Sequence, residues 1–404
     1  MQRLAGRRLW FVGIGGAGMS ALAVVAREWG AEVGGSDRAR SSYVDRLEAA
    51  GIPVAIGHDP ANVPEGAEVI VSSAIAEDNP EVSRAHVKKK RAELLAEFVE
   101  LRPSIVVAGA HGKTTTSGMI AFVLERLGRD PAFLIGGEIP QLGGNAAAGE
   151  GWLVAEGDES DRSLELLRPR VAVLTNVELD HHATFASEAE VRDLFERWLA
   201  EAPEAVRGDD LEPVGFALAV PGEHNRRNAA TALAALELAG VERAEAERVL
   251  LEFAGAGRRF ELRGEAGGVR VYDDYGHHPR EIAATLEAAR AAANGGRVLV
   301  AFQPHLYSRT RHLAHELGRA LAAADVVAVT SVYAAREEPV PGVEGNLVVE
   351  ELASARPGMA IGWTPRLDDA VRFLARRART GDLVLTIGAG DVERAAPQLL
   401  EELG

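Results

Sequence analysis

Short apolar runs alternate along the chain with amphipathic stretches, and this alternation predicts an α/β protein with largely parallel sheets. Each apolar run has the length of a buried strand and ends at a polar or glycine-containing turn. The predicted strands span residues 9–12, 32–37, 54–56, 68–72, 105–108, 152–155, 171–174, 269–274, 298–302, 326–330 and 383–386. The predicted helices span residues 19–29, 43–50, 117–127, 192–202, 229–239 and 280–292.

Other segments do not follow this alternation. Residues 80–102 predict a basic, helical linker in which residues 88–91 form a solvated helix face. Residues 143–151 are rich in Gly and Ala and predict a loop, while residues 203–214 are polar and predict irregular structure. A hinge is indicated at residues 255–261. We therefore expect three domains, at residues 1–102, 103–256 and 257–404.

Composition and charge exclude several classes of protein. A hydrophobic content of 47% and a charged content of 26% are typical of a soluble protein, and 404 residues suffice for two or three domains. The net charge of −16 argues against a nucleic-acid partner. The absence of cysteine excludes disulfides and fits a reducing cytoplasm. Spaced glycines interrupt the apolar run at residues 9–26, so we predict neither a signal peptide nor a membrane protein.

The turn after the predicted strand 105–108 has the pattern of a phosphate-binding loop. Its sequence, Gly-Ala-His-Gly-Lys-Thr-Thr-Thr at residues 109–116, stands between a strand and a helix. Without side chains at Gly109 and Gly112, backbone N–H groups can approach phosphate oxygens, and the helix N-terminus adds its own. Lys113 supplies a cation, and the hydroxyl of the next residue can bind Mg²⁺. An ordinary βα turn is the alternative, because the spacing between the glycines is shorter than usual.

A second glycine-rich turn follows the first predicted strand. Residues 13–18 match the pattern G-x-G-x-x-G, and Asp37 ends the next strand. This combination is typical of a loop that binds a nucleotide diphosphate, with the acid placed to meet a ribose or base. His58, Ser72 and Ser73 lie at the ends of further strands, where open α/β sheets bind ligands. Taken singly, each of these three could equally be a turn or capping residue.

Acidic and amide side chains follow the later strands. Residues 156–161, Glu-Gly-Asp-Glu-Ser-Asp, offer the hard oxygen ligands that a Mg²⁺–nucleotide site needs, or else form an acidic surface turn. His181 also follows a strand end in the same predicted sheet. Asn225 and Asn228 are spaced i, i+3, so they could read an adenine edge from one helix face, or cap the helix.

The last part of the chain repeats the alternation and has polar residues after its strands. Residues 275–279, Tyr-Gly-His-His-Pro, follow one strand, and residues 303–311 follow the next. Residues 388–391 follow the last strand. We therefore expect a third parallel α/β layer with its functional side chains at the carboxyl ends of the strands.

Together these stretches resemble the Mur ligase family, and most closely its L-alanine-adding members. The matching motifs follow the family's order over nearly the whole chain, and that order is far more specific than any single motif. The resemblance implies a Rossmann-like N-terminal domain for the UDP-sugar, a trimmed P-loop ATPase central domain and a Rossmann-like C-terminal domain for the amino acid. The motifs are residues 13–20, 109–116, 156–161, 175–181, 224–228, 258–261, 273–279, 302–310 and 388–391.

The resemblance also implies a reaction and residue roles. The reaction is ATP-dependent ligation of L-alanine to the lactyl carboxylate of UDP-N-acetylmuramic acid through an acyl-phosphate, with Mg²⁺, in the cytoplasm, by a monomer or weak homodimer. UDP contacts would come from Gly15, Gly16, Gly18, Asp37, His58, Ser72 and Ser73. ATP contacts would come from Gly109, Gly112, Lys113, Thr114, Thr115, Asn225, Asn228, Arg259 and Asp274. Mg²⁺ would be bound by Thr114, Glu156 and His181, and L-alanine or the acyl-phosphate by Tyr275, His277 and Arg309. Lys113, His277 and Arg309 would be catalytic, with His277 as proton acceptor.

The chain departs from the family pattern at several positions. Leu306 stands where an arginine is usual, Ala183 where an aspartate is usual, and Glu223 where a basic residue is commoner. The segment 182–223 is shorter than its counterpart in relatives, which implies a reduced central domain. Two alternatives therefore stay open: a related ligase that joins a ready-made tripeptide to the same sugar nucleotide, and a non-catalytic nucleotide-binding relative.

Overall fold

The chain forms two compact units that together hold three β-sheets. The computed structural model describes residues 3–72, 75–179, 184–335 and 337–404, so the predicted site residues Ser73 and His181 lie outside the described residues. The first unit comprises the chain up to Val220 together with Asn225–Gly255, and it contains two of the sheets. The second unit comprises Pro221–His224 and Ala256–Gly404 and contains the third sheet. The predicted α/β fold class is confirmed.

The first sheet has five parallel strands. Its elements are β1 (Arg8–Val12), α1 (Ala17–Glu28), β2 (Glu32–Asp37), α2 (Ser42–Ala49), β3 (Val54–Ile56), β4 (Glu68–Val71), α3 (Pro80–Arg84), β5 (Val87–Lys90) and α4 (Arg91–Glu100). The strand order is β3-β2-β1-β4-β5, so β1 is central. Leu9 and Phe11 of β1 pack into one core cluster and Trp10 and Val12 into another, because successive side chains of a strand point to opposite faces. Both faces of this strand are therefore buried, as expected of a parallel sheet.

The prediction of a helical linker over residues 80–102 is wrong in its middle. Val87–Lys90 forms β5, an edge strand that pairs in parallel with β4. Lysine on an edge strand opposes pairing with another chain, which explains how so basic a run can be a strand. The ammonium of Lys89 lies 3.2 Å from a carboxylate oxygen of Glu68 and also pairs with Glu97. The lysines therefore form an exposed sheet edge and not a helix face.

The second sheet has six strands, with the phosphate-loop strand among the central ones. Its elements are β6 (Ser104–Ala108), α5 (Lys113–Arg126), β7 (Ala132–Ile139), β8 (Gly144–Ala148), β9 (Leu153–Glu156), β10 (Val171–Leu174), α6 (Glu188–Glu201), β11 (Glu204–Arg207), α7 (Glu223–Leu238) and α8 (Arg243–Leu250). The strand order is β11-β10-β6-β9-β7-β8, and all neighbours are parallel except β7 and β8. The ends of β9 and β10 therefore flank the end of β6.

Two segments predicted as irregular are strands. Gly144–Ala148 pairs antiparallel with β7, and Glu204–Arg207 pairs in parallel with β10. Gly, Ala and Glu have low strand propensity, but backbone pairing with an existing strand overrides it. The β7–β8 register shifts between Leu134 and Ile139, so residues 135–138 bulge out of the ladder. We call residues 135–138 the β7 bulge.

The third sheet confirms the predicted α/β layer with one exception to its parallel order. Its elements are β12 (Glu261–Ala266), β13 (Val269–Asp274), α9 (Pro279–Ala293), β14 (Val298–Phe302), α10 (Tyr307–Leu321), β15 (Val326–Val329), α11 (Asn346–Ala355), β16 (Ala360–Trp363), α12 (Leu367–Ala375), β17 (Leu383–Ile387) and α13 (Ala395–Leu403). The order is β12-β13-β17-β14-β15-β16, and β12 is antiparallel to β13. Asp274 and Phe302 both pair with Ile387, so three strands end side by side. No helix in the described ranges is long and apolar enough to cross a membrane.

Candidate functional site

The turn between β6 and α5 has a backbone that only glycine accommodates at two positions. Gly109 has φ 128° and Gly112 has φ 81°. A Cβ at Gly109 would lie 2.2 Å from the Thr175 Oγ1 atom, and a Cβ at Gly112 would lie 2.4 Å from the Asn228 Oδ1 atom. Glycine is therefore required here both for backbone conformation and for space. Because α5 begins at Lys113, its unpaired N–H groups adjoin this turn, as in an anion-binding loop.

The end of β10 holds the glycine turn in shape. The Asn176 side chain accepts a hydrogen bond from the His111 N–H at 2.9 Å and donates one to the His111 carbonyl at 2.9 Å. The Thr175 hydroxyl donates to the same carbonyl at 2.6 Å. Neither residue was among the predicted site residues. The available signal was a Thr-Asn pair directly after a buried strand parallel to β6.

Lys113 lies against a buried carboxylate. Its Nζ atom lies 3.1 Å from both carboxylate oxygens of Glu159, which is 2% exposed, and it also donates to the Gly109 carbonyl. Burial opposes the charge of Lys113, but the carboxylates of Glu159, Asp158 and Glu156 outweigh it and raise the pKa of Lys113 above its usual value. The amine is therefore a charged donor at neutral pH. Glu159 was part of the acidic motif but was not itself predicted as a site residue.

Glu156 and Thr114 place oxygen atoms together beside the glycine turn. The Thr114 hydroxyl donates to Glu156 Oε2 at 3.3 Å, and the Gly136 N–H donates to Glu156 Oε1 at 2.6 Å. A hydroxyl and a carboxylate are the hard oxygen ligands that Mg²⁺ prefers, so these two residues fit that ion. Thr115, buried in the first turn of α5, follows directly.

Asn225 and Asn228 lie inside α7, so the reading of either as a helix cap is wrong. The helix begins at Glu223, and both side chains are buried. The Asn228 amide donates to Asn225 Oδ1 at 3.4 Å, and its own Oδ1 atom is the one that a Cβ at Gly112 would meet. Helical spacing thus brings both amides to one face, and Asn228 reaches the glycine turn.

The glycine turn of the first sheet is tied to the acid that ends β2. The Gly15 N–H donates to Asp37 Oδ2 at 2.9 Å, and a Cβ at Gly15 would lie 2.9 Å from the same oxygen. Gly16 is the N-cap of α1, and Gly18 lies in its first turn. The structure therefore brings together Gly15, Gly16, Gly18 and Asp37, as predicted.

His58 lies beside a buried carboxylate that sequence reasoning missed. Its Nδ1 atom lies 3.0 Å from the Ser36 hydroxyl and 3.5 Å from Glu81 Oε2. Glu81 is fully buried, accepts from Trp10 Nε1 at 3.3 Å and from Asn62 Nδ2 at 2.8 Å, and also pairs with the Ser36 hydroxyl. Ser72, which follows the end of β4, donates its N–H to the Val12 carbonyl at 3.4 Å. Nothing in the pattern around Glu81 distinguishes it from a surface acid.

In the second unit, Asp274 organises the turn after β13. Its two carboxylate oxygens accept from the Gly276 N–H and the Phe260 N–H, each at 2.8 Å. The residue is 5% exposed, and burial raises the pKa of Asp274 to about 6, against the opposing effect of Arg259. Arg259 lies 3.4 Å from Glu281, a carboxylate that also accepts from the N–H of His277.

Aromatic and basic side chains form a row beyond the ends of β13, β14 and β15. The guanidinium carbons of Arg258 and Arg259 each lie 5.3 Å from the Tyr275 ring centroid, which is within the range of cation–π contacts. The His277 ring centroid lies 5.6 Å from the Tyr275 centroid and 5.6 Å from the His305 centroid. The three predicted residues Arg259, Tyr275 and His277 are therefore neighbours.

Arg309 joins this row from the first turn of α10. It is 4% exposed, and its Nη1 atom lies 3.0 Å from His305 Nδ1. The His305 ring stacks on Tyr333 with centroids 5.9 Å apart. Neither His305 nor Tyr333 was predicted, although His305 lies three residues after the end of β14. Leu306 has φ 69°, an unusual conformation for a leucine, and its N–H donates to the Tyr333 carbonyl at 2.9 Å.

The three sheets and two glycine turns define a class of protein: an α/β nucleotide-binding protein with three domains. The chain belongs to the Mur ligase family, because family profiles match most of its length. Residues 8–102 match "Mur ligase family, catalytic domain", residues 107–205 match "Mur ligase middle domain", and residues 258–390 match "Mur ligase, glutamate ligase domain".

Relatives at high coverage agree with this assignment. UDP-N-acetylmuramate–L-alanine ligase of Streptomyces coelicolor is 42% identical over 450 aligned residues, covering 97% of each chain. The ligase of the same name from Rubrobacter xylanophilus is 40% identical over 446 residues, covering 98% of this chain and all of its own. Both alignments are longer than the 404 residues of this chain, so these relatives carry residues that it lacks. That the missing residues fall within 182–223 stays a prediction.

Solved structures support the same fold. UDP-N-acetylmuramate–alanine ligase of Thermotoga maritima is 27% identical, with a TM-score of 0.82 and 98% of both chains covered. A murein peptide ligase of Psychrobacter arcticus, at 24% identity and a TM-score of 0.69, shares the fold. MurF ligase of Thermotoga maritima, solved in complex with ADP, shares it at 19% identity and a TM-score of 0.62.

Replacing Gly112 by alanine should weaken ATP binding by at least about tenfold and lower the melting temperature. The new Cβ would need φ 81° and would collide with Asn228 Oδ1 at 2.4 Å. Isothermal titration calorimetry and thermal unfolding measure the two effects. Gly128→Ala is the matched control, since Gly128 has φ 67° but nothing within 4 Å of its Cβ position. Equal effects of the two variants on ATP affinity would contradict the steric argument.

Replacing Asp274 by asparagine should flatten the pH dependence of unfolding between about pH 4 and pH 6. Burial raises the pKa of Asp274 to about 6, so the folded state binds this proton more tightly than the unfolded chain. The stability that it contributes is complete below the unfolded pKa and is lost as pH rises through about 6, by up to about 3 kcal/mol. Urea unfolding across this range tests it. Asp368→Asn, at an exposed carboxylate, should keep the wild-type slope, and an unchanged slope in Asp274→Asn would refute the prediction.

Proposed function

We propose that this chain is an ATP-dependent ligase that joins L-alanine to the lactyl carboxylate of UDP-N-acetylmuramic acid. The observation that carries the proposal is the pairing of two strand ends. Lys113 and Thr114 begin the helix that follows β6. Lys113 contacts Glu159, which follows β9, and Thr114 contacts Glu156, the last residue of β9. Relatives named for this reaction match nearly the whole chain, which supports the choice of substrates.

We assign one ligand to each predicted domain. Residues 1–102 would bind the UDP-sugar, residues 103–256 ATP, and residues 257–404 the amino acid. Two observations support the first assignment: the bond from the glycine turn to Asp37, and the position of His58 beside Ser36. The predicted UDP contacts are Asp37 and His58 with Gly15, Gly16, Gly18, Ser72 and Ser73. Absence of cysteine agrees with a cytoplasmic enzyme, and we expect a monomer or weak homodimer.

The chemistry begins with activation of the acid. The lactyl carboxylate attacks the γ-phosphorus of ATP, the bond to the β-phosphate oxygen breaks, and ADP leaves. The resulting acyl-phosphate turns a poor leaving oxygen into a good one. The neutral amine of L-alanine then attacks the carbonyl, and phosphate leaves from a tetrahedral intermediate. Catalysis rests mostly on positioning and charge neutralisation.

Lys113 is suited to hold the transferred phosphoryl group. Its charge is maintained by the surrounding carboxylates, and its Nζ atom lies at the glycine turn. The turn's backbone N–H groups and the N-terminus of α5 bind further phosphate oxygens. Asn225 and Asn228 offer amide donors and acceptors suited to an adenine edge.

Mg²⁺ is the metal that the oxygen donors beside the turn fit. Thr114 and Glu156 would hold it, with His181 as the third predicted ligand. A bound Mg²⁺ neutralises charge on the phosphate oxygens during transfer. The Gly136 N–H donates to Glu156 Oε1, the carboxylate oxygen that does not face Thr114, and so orients the side chain for this role.

The second unit would receive the amino acid and the acyl-phosphate. Arg309 and Arg259 supply cations for a carboxylate or a phosphate. The Tyr275 ring contacts the guanidinium groups of Arg258 and Arg259. His277 is the candidate proton acceptor for the attacking amine. Asp274 would contact ATP from this unit, as the family resemblance implies.

The wild-type chain should release phosphate from ATP when UDP-N-acetylmuramate and L-alanine are both present. Lys113→Ala should reduce the rate at least about a hundredfold, because it removes a preorganised charge from the phosphoryl group. A coupled phosphate assay measures both. Lys88→Ala, at an exposed edge-strand lysine, should keep the wild-type rate.

The same assay separates the alternatives. Phosphate release with tripeptide but not with L-alanine would favour the tripeptide ligase. Leu306, which stands where an arginine is usual in L-alanine-adding members, is compatible with that alternative. No release with either amine would favour a non-catalytic nucleotide-binding protein. Normal turnover in Lys113→Ala would remove the glycine turn from the mechanism.

Replacing Glu156 by glutamine should raise the Mg²⁺ concentration needed for half-maximal activity by at least about tenfold, because a charged oxygen ligand becomes a neutral one. Titration of activity with Mg²⁺ at saturating ATP tests this. Asp161→Asn is the matched control, since Asp161 belongs to the same acidic run but is exposed. An unchanged midpoint in Glu156→Gln would reduce Glu156 to a structural acid.

A further inference from the structure

The β7–β8 hairpin lies between the two glycine turns of the first unit. β7 and β8 both pack against α1, whose N-terminus is the glycine turn of the first sheet. The β7 bulge faces the glycine turn between β6 and α5. The Gly136 N–H donates to Glu156, and a Cβ at Gly137 would lie 3.0 Å from Thr114 Cγ2. Glu138, the last residue of the bulge, pairs with Arg46 of α2. The same short segment therefore contacts both nucleotide-binding elements.

One amide group connects these contacts. Asn145 of β8 is 7% exposed, and its Nδ2 atom donates to the Ala17 carbonyl at 3.3 Å and to the Ile135 carbonyl at 3.2 Å. Two carbonyl acceptors determine which end of the amide faces them, because only the NH₂ group can donate. Ala17 is the first residue of α1, and the residue after Ile135 holds Glu156.

We propose that Asn145 is a positioning residue shared by the UDP-sugar site and the Mg²⁺–ATP site. One of its donated hydrogen bonds fixes the start of α1. The other fixes the β7 bulge, whose Gly136 N–H holds Glu156. The ligands are those of the proposed function, on which this inference rests. Asn145 was not among the predicted site residues, because it stands in a Gly/Ala-rich segment that was predicted to be a loop.

The isosteric variant Asn145→Asp separates this role from simple packing. Aspartate has the same shape, but an ionised carboxylate cannot donate and would face two carbonyl oxygens. The variant should weaken UDP-N-acetylmuramate and Mg²⁺–AMPPNP binding each by about tenfold, while the KM for L-alanine stays at the wild-type value. A merely destabilising change would reduce the folded fraction without changing the affinities of the folded protein.

Calorimetric titration of each ligand into the full-length chain, with the melting temperature recorded, provides the test. Gln141→Ala is the matched control, because Gln141 anchors the same hairpin to Glu252 and Ala254, away from α1. It should leave both affinities unchanged. If Asn145→Asp fails to fold, the two affinities are measured on Asn145→Ala, which loses the donor without adding charge.

Wild-type affinity at either site in a folded Asn145 variant would overturn the inference, since the amide is proposed to serve both. Equal losses in Gln141→Ala would overturn it too, because the effect would then belong to the hairpin as a whole. If the wild-type chain itself bound no UDP-N-acetylmuramate, the proposed function would fail, and this inference with it. The wild-type titration therefore distinguishes the two failures.

Discussion

The glycine turn between β6 and α5 depends on close packing from two sides. β10 ends against Gly109, and α7 places an amide oxygen against Gly112, leaving no room for a Cβ atom at either position. Hydrogen bonds between the His111 backbone and the side chains of Thr175 and Asn176 then fix the carbonyl and N–H directions between the glycines. A turn so enclosed can present N–H groups to phosphate without rearrangement, which is the preorganisation that phosphoryl transfer requires.

Opposite charges at this turn keep each other ionised, in a chain that carries a net charge of −16. Lys113 is surrounded by acids, and their carboxylates keep it protonated against the effect of burial. The reverse holds for Asp158: burial opposes its ionised form, but Lys113 and a hydrogen bond from Ser160 leave its pKa below the usual value. The proposed binding of anionic nucleotides would rest on Lys113 and the backbone N–H groups of the turn, because donors at short range outweigh the net charge of the whole chain.

Buried and half-buried carboxylates organise loops elsewhere in the chain. Glu81 gathers donors around His58 in the first sheet, and Asp274 and Glu281 gather backbone N–H groups around His277 in the second unit. Each carboxylate satisfies several donors at once, which offsets the desolvation that burial imposes. Glu81 and Glu281 lie outside the motifs recognised in the sequence, whereas Asp274 belongs to the motif at residues 273–279.

The sequence alone determined the α/β class, the glycine turns, the position of Lys113 between a strand and a helix, and the strand-end positions of Glu156, Asp274 and His277. These follow from local rules, since a phosphate turn needs glycines and a lysine at set spacing between a strand and a helix. It misassigned Val87–Lys90, Gly144–Ala148 and Glu204–Arg207, whose polar or small residues have little strand propensity.

Only the tertiary structure decided that those segments are strands, because their backbone groups are satisfied by pairing with neighbouring strands. The same holds for Thr175, Glu159, Glu81 and Asn145. Their importance lies in which atoms they face across the fold, and residue type and spacing along the chain carry no record of that. The sequence therefore predicts the residues that carry the local chemistry, whereas tertiary packing determines the partners that hold those residues in place.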